Sequence, residues 1–167
     1  MNEKRIGLTA IDPGASGGIA WIDHDGQVQT EKTPETNGDF ISLLTGLRVA
    51  YGARWEVFLE DVPFGIRSGA NPSAMAKLHR RAGVVEGVVQ ALGGRLVMVT
   101  PQKWQKFFSL GTKAGSCGGN TTKWKNKLKG EAQRRFPGVD VTLDISDALL
   151  ILDYGRGAAA VVKEAGE

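Results

Sequence analysis

Hydrophobic positions along the chain fall into two rhythms. Ile6 to Ile11 and Gly18 to Ile22 are short apolar runs, and Gln27 to Thr33 follows after the turn Asp23-His24-Asp25-Gly26. Short segments of this length, bounded by turn residues, predict three successive strands in an antiparallel meander. Pro34 to Asn37 breaks the pattern. Phe40, Leu43, Leu44 and Leu47 then recur at helical spacing, predicting a helix over 39–51 with Gly52 as its C-cap. Trp55 to Pro63 reads as a fourth strand. Ser73 to Leu92 is the longest helical segment, with Ser73 as N-cap and Gly93-Gly94 as the stop. Leu78, Val85, Val89 and Leu92 form its stripe, which Met75, Ala82 and Val88 broaden. So wide an apolar surface implies either deep burial or one face on the sheet and another on a second subunit.

Arg95 to Thr100 predicts a fifth strand. Thr100-Pro101 opens a short helix to Phe108, with Trp104, Phe107 and Phe108 as core residues. Gly111 to Thr122 is rich in Gly, Ser and Thr and reads as a mobile loop. Thr121 or Thr122 then caps a helix to Phe136 whose apolar side is Trp124, Leu128, Ala132 and Phe136. An apolar helix follows Asp144 and Asp147, and the tail from 158 to 167 is expected to fray.

The segment between the first two strands carries the first chemical signal. Asp12-Pro13-Gly14-Ala15-Ser16-Gly17-Gly18 places a carboxylate at a strand end, followed by glycines that let the backbone turn tightly and let a bulky group approach. Such a carboxylate can hold a hard cation against a phosphate; it can also simply cap the turn. The fourth strand ends in two more acids, Glu60 and Asp61. Side chains alternate along a strand, so one of the two can join Asp12, and periodicity leaves both open. Asp144 and Asp147, three apart at a helix start, are expected to share a face.

Composition narrows the classes. With 167 residues, 41% hydrophobic and 23% charged, the chain is expected to form one domain over 1–167 with a real core. One cysteine, Cys117, and two histidines, His24 and His79, argue against a disulfide framework, a thiolate cluster or an ordinary zinc site. No apolar stretch has the length of a membrane span and the N-terminus lacks a signal-peptide core, so a cytoplasmic location is expected. Net charge is +3, but residues 77–135 hold 13 Lys and Arg against 2 Asp and Glu, and the remainder 8 against 16. A basic middle beside acidic ends suits a polyanion gripped by one part and processed by another. The candidate contacts are Lys77, Arg80 and Arg81 on the long helix, Lys113 in the loop, and Lys123, Lys125, Lys127 and Lys129 on the basic helix.

Asp12, Glu60 or Asp61, Asp144 and Asp147 come from separated segments with no basic neighbour in sequence. Gathered together they would repel unless cations intervened. Two Mg²⁺ ions roughly 3.5–4 Å apart would satisfy them and suit in-line attack on a phosphodiester, with Mn²⁺ a candidate substitute.

Asp12-Pro13-Gly14 after a strand, the strand-end Glu60, the 73–92 helix and Asp144-x-x-Asp147-Ala148-Leu149 resemble the RuvC family of Holliday junction resolvases over about residues 5–155. The Ser-Gly-Gly turn and Thr-Pro-Gln-Lys-Trp are most similar to its compact phage and prophage members. The resemblance implies an α/β, RNase H-like fold: a mixed five-stranded sheet, its first three strands antiparallel, flanked by helices. It further implies a homodimer joined through the 73–92 helix that cuts a four-way DNA junction symmetrically, leaving 5′-phosphate and 3′-hydroxyl ends. Asp12, Glu60, Asp144 and Asp147 match the family's metal-binding catalytic acids, which favours Glu60 over Asp61. Lys123 resembles a family lysine near the scissile phosphate. Phe64 lies near the place of an aromatic that wedges into the junction centre. The long 111–122 loop departs from the family pattern.

Three functions compete. A Mg²⁺-dependent junction resolvase accounts for both the acids and the basic middle. An RNase H-fold nuclease acting on flaps, forks or RNA-DNA hybrids would need the same acids. A non-catalytic junction-binding dimer would have no use for crowded carboxylates near phosphate. A sugar-kinase or actin-like ATPase also carries Asp and glycines at its first turn, but needs a second lobe.

Overall fold

The computed structural model describes residues 6–63 and 71–164. Its sheet comprises β1 (Gly7–Ile11), β2 (Gly18–Ile22), β3 (Val28–Lys32), β4 (Trp55–Glu60) and β5 (Arg95–Val99), in the order β3-β2-β1-β4-β5. The first three strands are antiparallel, and β4 and β5 run parallel to β1. This is the mixed five-stranded sheet expected from the sequence. The helices are α1 (Asn37–Tyr51), α2 (Pro72–Ala91), α3 (Pro101–Phe107), α4 (Lys113–Cys117), α5 (Thr121–Arg135) and α6 (Ser146–Glu164). Among the described residues no helix is long and apolar enough to cross a membrane.

Strand alternation divides the core in two. Ile11, Ile19, Trp55, Val57 and Leu59 face Phe40, Leu44 and Leu47 of α1 and Val85 and Val89 of α2. Leu8, Ala10, Ala20, Phe58 and Val99 face the other way, against Trp104 of α3, Trp124, Leu128 and Ala132 of α5, and the apolar run of α6. Helices on both faces of a largely parallel centre are the stable solution for strands that are apolar on each side.

Several boundaries differ from the sequence reading, each for a local reason. α2 is capped by Asn71, whose side chain accepts from the Ser73 and Ala74 amides, with Pro72 in the first turn. Proline suits that position because its missing N–H would have gone unpaired there, so Ser73 is helical rather than the cap. Asn120 caps α5 by accepting from the Lys123 amide, leaving Thr121 and Thr122 inside the helix. The 111–122 stretch carries α4, capped by Thr112 and closed by Gly118 in the left-handed conformation. α6 runs on to Glu164, past the point where fraying was expected. Val85 and Val89 are wholly buried under the sheet, so these two stripe positions are core, while Met75, Leu78, Ala82, Val88 and Leu92 are half-buried. Its outward side includes Gly83 and Gly87, which face open space.

Candidate active site

Register brings the first two acids together. Ala10 pairs with Phe58 between parallel β1 and β4. Carried one pleat further on the face that α6 covers, the same register sets Asp12 beside Glu60. The turn after β1 is tight: the Asp12 amide donates to the Gly18 carbonyl and the Gly17 amide to that of Gly14, both at 2.9 Å. A Cβ at Gly17 would lie 2.3 Å from the Asp12 carbonyl oxygen, so only glycine fits there. The Gly14 amide donates to Asp12 Oδ1 at 2.9 Å and fixes the carboxylate.

The third acid arrives on α6. A Cβ at Gly18 would lie 2.8 Å from the Asp144 carbonyl oxygen, so this glycine lets the 143–145 turn seat against the sheet. α6 starts directly after that turn. Its apolar run buries Ala148 to Leu152 completely and pins Asp147, in the first helical turn, over the ends of β1 and β4. The Ser146 hydroxyl lies 3.2 Å from Asp147 Oδ1. Asp12, Glu60 and Asp147 line one cleft of about 270 Å³ with Gly14, Ser16, Val62, Pro63, Met75, Leu78, Pro101 and Lys125.

The cleft is short of positive charge. Burial, then repulsion from Asp12 and Asp147, pushes the Glu60 carboxyl up to about 8, against opposing pulls from the Trp104 indole and Lys125. Burial and Asp147 raise Asp12 to about 6, although the Gly14 amide and Lys125 favour its charged form. Lys125 Nζ reaches Asp147 Oδ2 at 2.6 Å. Burial lowers the Lys125 value, but Asp147, Asp12 and Glu60 together outweigh it and hold the ammonium above the ordinary lysine range. Burial is the larger cause of both upward shifts, and one ammonium against three carboxylates adds repulsion to it.

The remaining sequence candidates divide. Asp144 lies before α6, not on it, and its carboxylate pairs with Lys32 Nζ of β3 at 2.6 Å, outside the cleft lining. The two aspartates therefore do not share a helix face, because the helix begins between them. Asp61 follows β4, its amide donates to the Val99 carbonyl at 2.8 Å, and it does not line the cleft. Lys123 is exposed near the start of α5 and is likewise absent from the lining, which contains Lys125 instead. The geometric clue to Lys125 is its place beside the buried Trp124–Leu128–Ala132 stripe, at the boundary from which a lysine can reach inward.

Among the basic candidates, Lys77 and Arg80 are exposed on α2, and Lys129 is partly buried on α5. Arg81 donates to the Glu35 carbonyl, Lys127 to the Leu110 carbonyl at 2.7 Å, and Lys113 to the Thr121 hydroxyl. Phe64 lies outside the described residues. Trp104, read from sequence as plain core, also touches the site: its indole N–H donates to Glu60 Oε1 at 3.1 Å. No periodicity argument distinguishes that tryptophan from a phenylalanine.

Among the described residues, no three acids, histidines or cysteines are already gathered at ion-holding distance. The chemistry of the donor set nevertheless fits a hard divalent cation: carboxylates converge from three elements, and burial together with their mutual repulsion raises the pKa of Asp12 and Glu60.

No family model and no curated protein sequence matches the chain. Among solved structures, it is similar to Thermus thermophilus RuvC in complex with a Holliday junction substrate. The two share 14% identity over 87% of this chain and 90% of that one, with a TM-score of 0.55. A second Thermus thermophilus RuvC structure shares 18% identity over the same fractions, with a TM-score of 0.48. The chain has a RuvC-like, RNase H-like fold.

Proposed function

We propose that this chain is a divalent-cation-dependent endonuclease that resolves four-way DNA junctions by paired symmetric incision. The observation that carries this reading is the convergence of Asp12, Glu60 and Asp147, undercompensated by Lys125, at one end of a RuvC-like sheet. Asp12, Glu60 and Asp147 would hold Mg²⁺, and Asp144 would join them by leaving Lys32. Such ions, bound in a pair, would supply an activated water and charge stabilisation for the departing 3′ oxygen. The protein's part is placement. β1 and β4 fix two carboxylates side by side, and α6 holds the third across from them. Lys125 neutralises Asp147 and is within reach of a phosphate entering the cleft. α5, with Lys123, Lys125, Lys127 and Lys129, gives the adjoining surface for the DNA backbone.

Symmetric cutting of a two-fold junction calls for two active sites, hence a homodimer. The outward side of α2, with Gly83 and Gly87, is the surface proposed for it, since small residues let two helices approach closely.

End-labelled four-way junction, flap, fork and RNA-DNA hybrid, each with and without Mg²⁺, test the reading. Paired cuts confined to the junction and dependent on Mg²⁺ are the expected result. Preferential cutting of another substrate would keep the acids and change the target. Tight junction binding without cutting under any divalent metal would leave a binding dimer.

A further inference from the structure

Two of the chain's tryptophans have fully buried rings, and each finds a partner for its indole N–H. Trp55 donates to the Thr9 hydroxyl at 3.0 Å, on the α1/α2 face of the sheet. Trp104 donates to Glu60 Oε1 at 3.1 Å, on the other face, at the edge of the cleft. An indole N–H is a donor with no acceptor capacity, and a buried donor needs a partner. For the apolar packing among Val99, Phe108 and Leu110, a phenylalanine at position 104 would serve nearly as well. What tryptophan adds is one N–H aimed at one carboxylate.

We propose that Trp104 is a positioning residue: by holding Oε1 of Glu60 it fixes the carboxylate's rotation and leaves Oε2 as the oxygen offered to the cleft. Both ends of this contact are rigidly mounted. Glu60 pairs with Val99 across β4 and β5, and α3 begins two residues after Val99, with Trp104 in its first turn and Pro101 lining the cleft. Strand and helix thus move as one piece, and the N–H arrives at Glu60 from the protein side. Glu60 otherwise stands among Asp12 and Asp147, which repel it, and could rotate away from them. The indole opposes that rotation. With Oε1 so held, Oε2 would be the Glu60 oxygen available to a cation held also by Asp12 and Asp147. The inference rests on the cleft being a cation site, as proposed above.

Mg²⁺ affinity of the DNA-free protein, measured by calorimetry, separates the two propositions. Wild type, Trp104→Phe and Glu60→Gln are compared, with circular dichroism and thermal melting recorded for each. A charge-assisted hydrogen bond lost from the bound state corresponds to roughly tenfold weaker Mg²⁺ binding for Trp104→Phe, and the Mg²⁺ needed for half-maximal junction cleavage should rise by about the same factor. Wild-type affinity in Trp104→Phe, with a lowered melting temperature and a weakened Glu60→Gln, would reduce Trp104 to packing while leaving the cation site intact. Equal binding by all three proteins would overturn the cation site itself and the inference with it. Should Trp104→Phe fail to fold, replacement of Trp104 by 3-benzothienylalanine, which keeps the bicyclic shape and lacks the N–H, decides by the same comparison.

Discussion

Glu56 and Glu60 stand at opposite ends of the same strand and, four residues apart, on the same face. At the start of β4, Glu56 is 7% exposed, opposite Arg95 in register, with a 3.0 Å ion pair to its guanidinium. At the end of β4, Glu60 faces Asp12 and Asp147 and shares one lysine with both, and its pKa rises to about 8. One buried charge is matched by its neighbour and the other is not. A stable fold gains nothing from crowding a third acid onto an uncompensated pair, so the imbalance marks the end of the sheet where an external cation is expected. The C-terminal aspartates repeat the contrast: Asp144 has a private partner in Lys32, while Asp147 shares Lys125 with the cleft.

The largest effect should come from neutralising the unmatched end. Asp12→Asn is expected to lower junction cleavage by about 10²–10³-fold, the scale of losing transition-state charge stabilisation. Binding in a gel-shift assay should stay intact or tighten, because a phosphate-repelling charge is removed. Glu56→Gln is the control: its cleavage should match wild type, since its partner is structural. Equal cleavage by Asp12→Asn and wild type would sink the site assignment.

Packing supplies the next effect. Val85→Asp puts a carboxylate into the wholly buried layer between α2 and the sheet and should cost on the order of 3–5 kcal/mol, read as loss of cooperative melting. If the proposed homodimer forms across α2, Gly87→Arg on its outward side should leave circular dichroism unchanged and shift sedimentation from dimer to monomer. An unshifted dimer would move the subunit contact elsewhere, and a monomeric wild type would remove the homodimer from the proposal.

Protonation gives a smaller effect with a definite sign. Asp12 and Glu60 have folded pKa values above their ordinary 3.8 and 4.5. Between those ordinary values and about 6 and 8, the folded state holds more protons than the unfolded one, so stability falls as pH rises through that window. Without divalent metal, the melting temperature should be lower at pH 8 than at pH 5. Glu60→Gln should flatten the slope, and saturating Mg²⁺ should do the same in wild type. A slope unaffected by either would show that other groups govern it.

The smallest effect belongs to the matched aspartate. Lys32 is 72% exposed, so Lys32→Ala should change stability by less than about 1 kcal/mol. If Asp144 leaves Lys32 on cation binding, the same variant should lower the Mg²⁺ requirement of cleavage slightly. A raised requirement would argue that Asp144 stays outside.

The chain itself determines the local rules. Short apolar runs, turn residues between them and helical stripes after them set five strands and the principal helices, because each pattern needs only its own neighbours to be satisfied. The Asp12 turn was legible for the same reason: its glycines and its carboxylate lie within a few residues. Even the side-by-side placement of Asp12 and Glu60 follows from alternation once β1 and β4 pair in parallel. Tertiary structure decided what sequence distance hides. Whether a lysine reaches an acid 22 positions away depends on how α5 docks on α6, so Lys125, not Lys123, enters the cleft. Helix α6 starts after Asp144, and Lys32 lies on an adjacent edge strand, so a spacing of three does not give one shared face. The stripe of α2 fixed its amphipathicity, but only packing showed that Val85 is core. Trp104 is the extreme case: to a pattern of apolar positions it is one more aromatic, and its N–H acquires meaning from the single oxygen it meets.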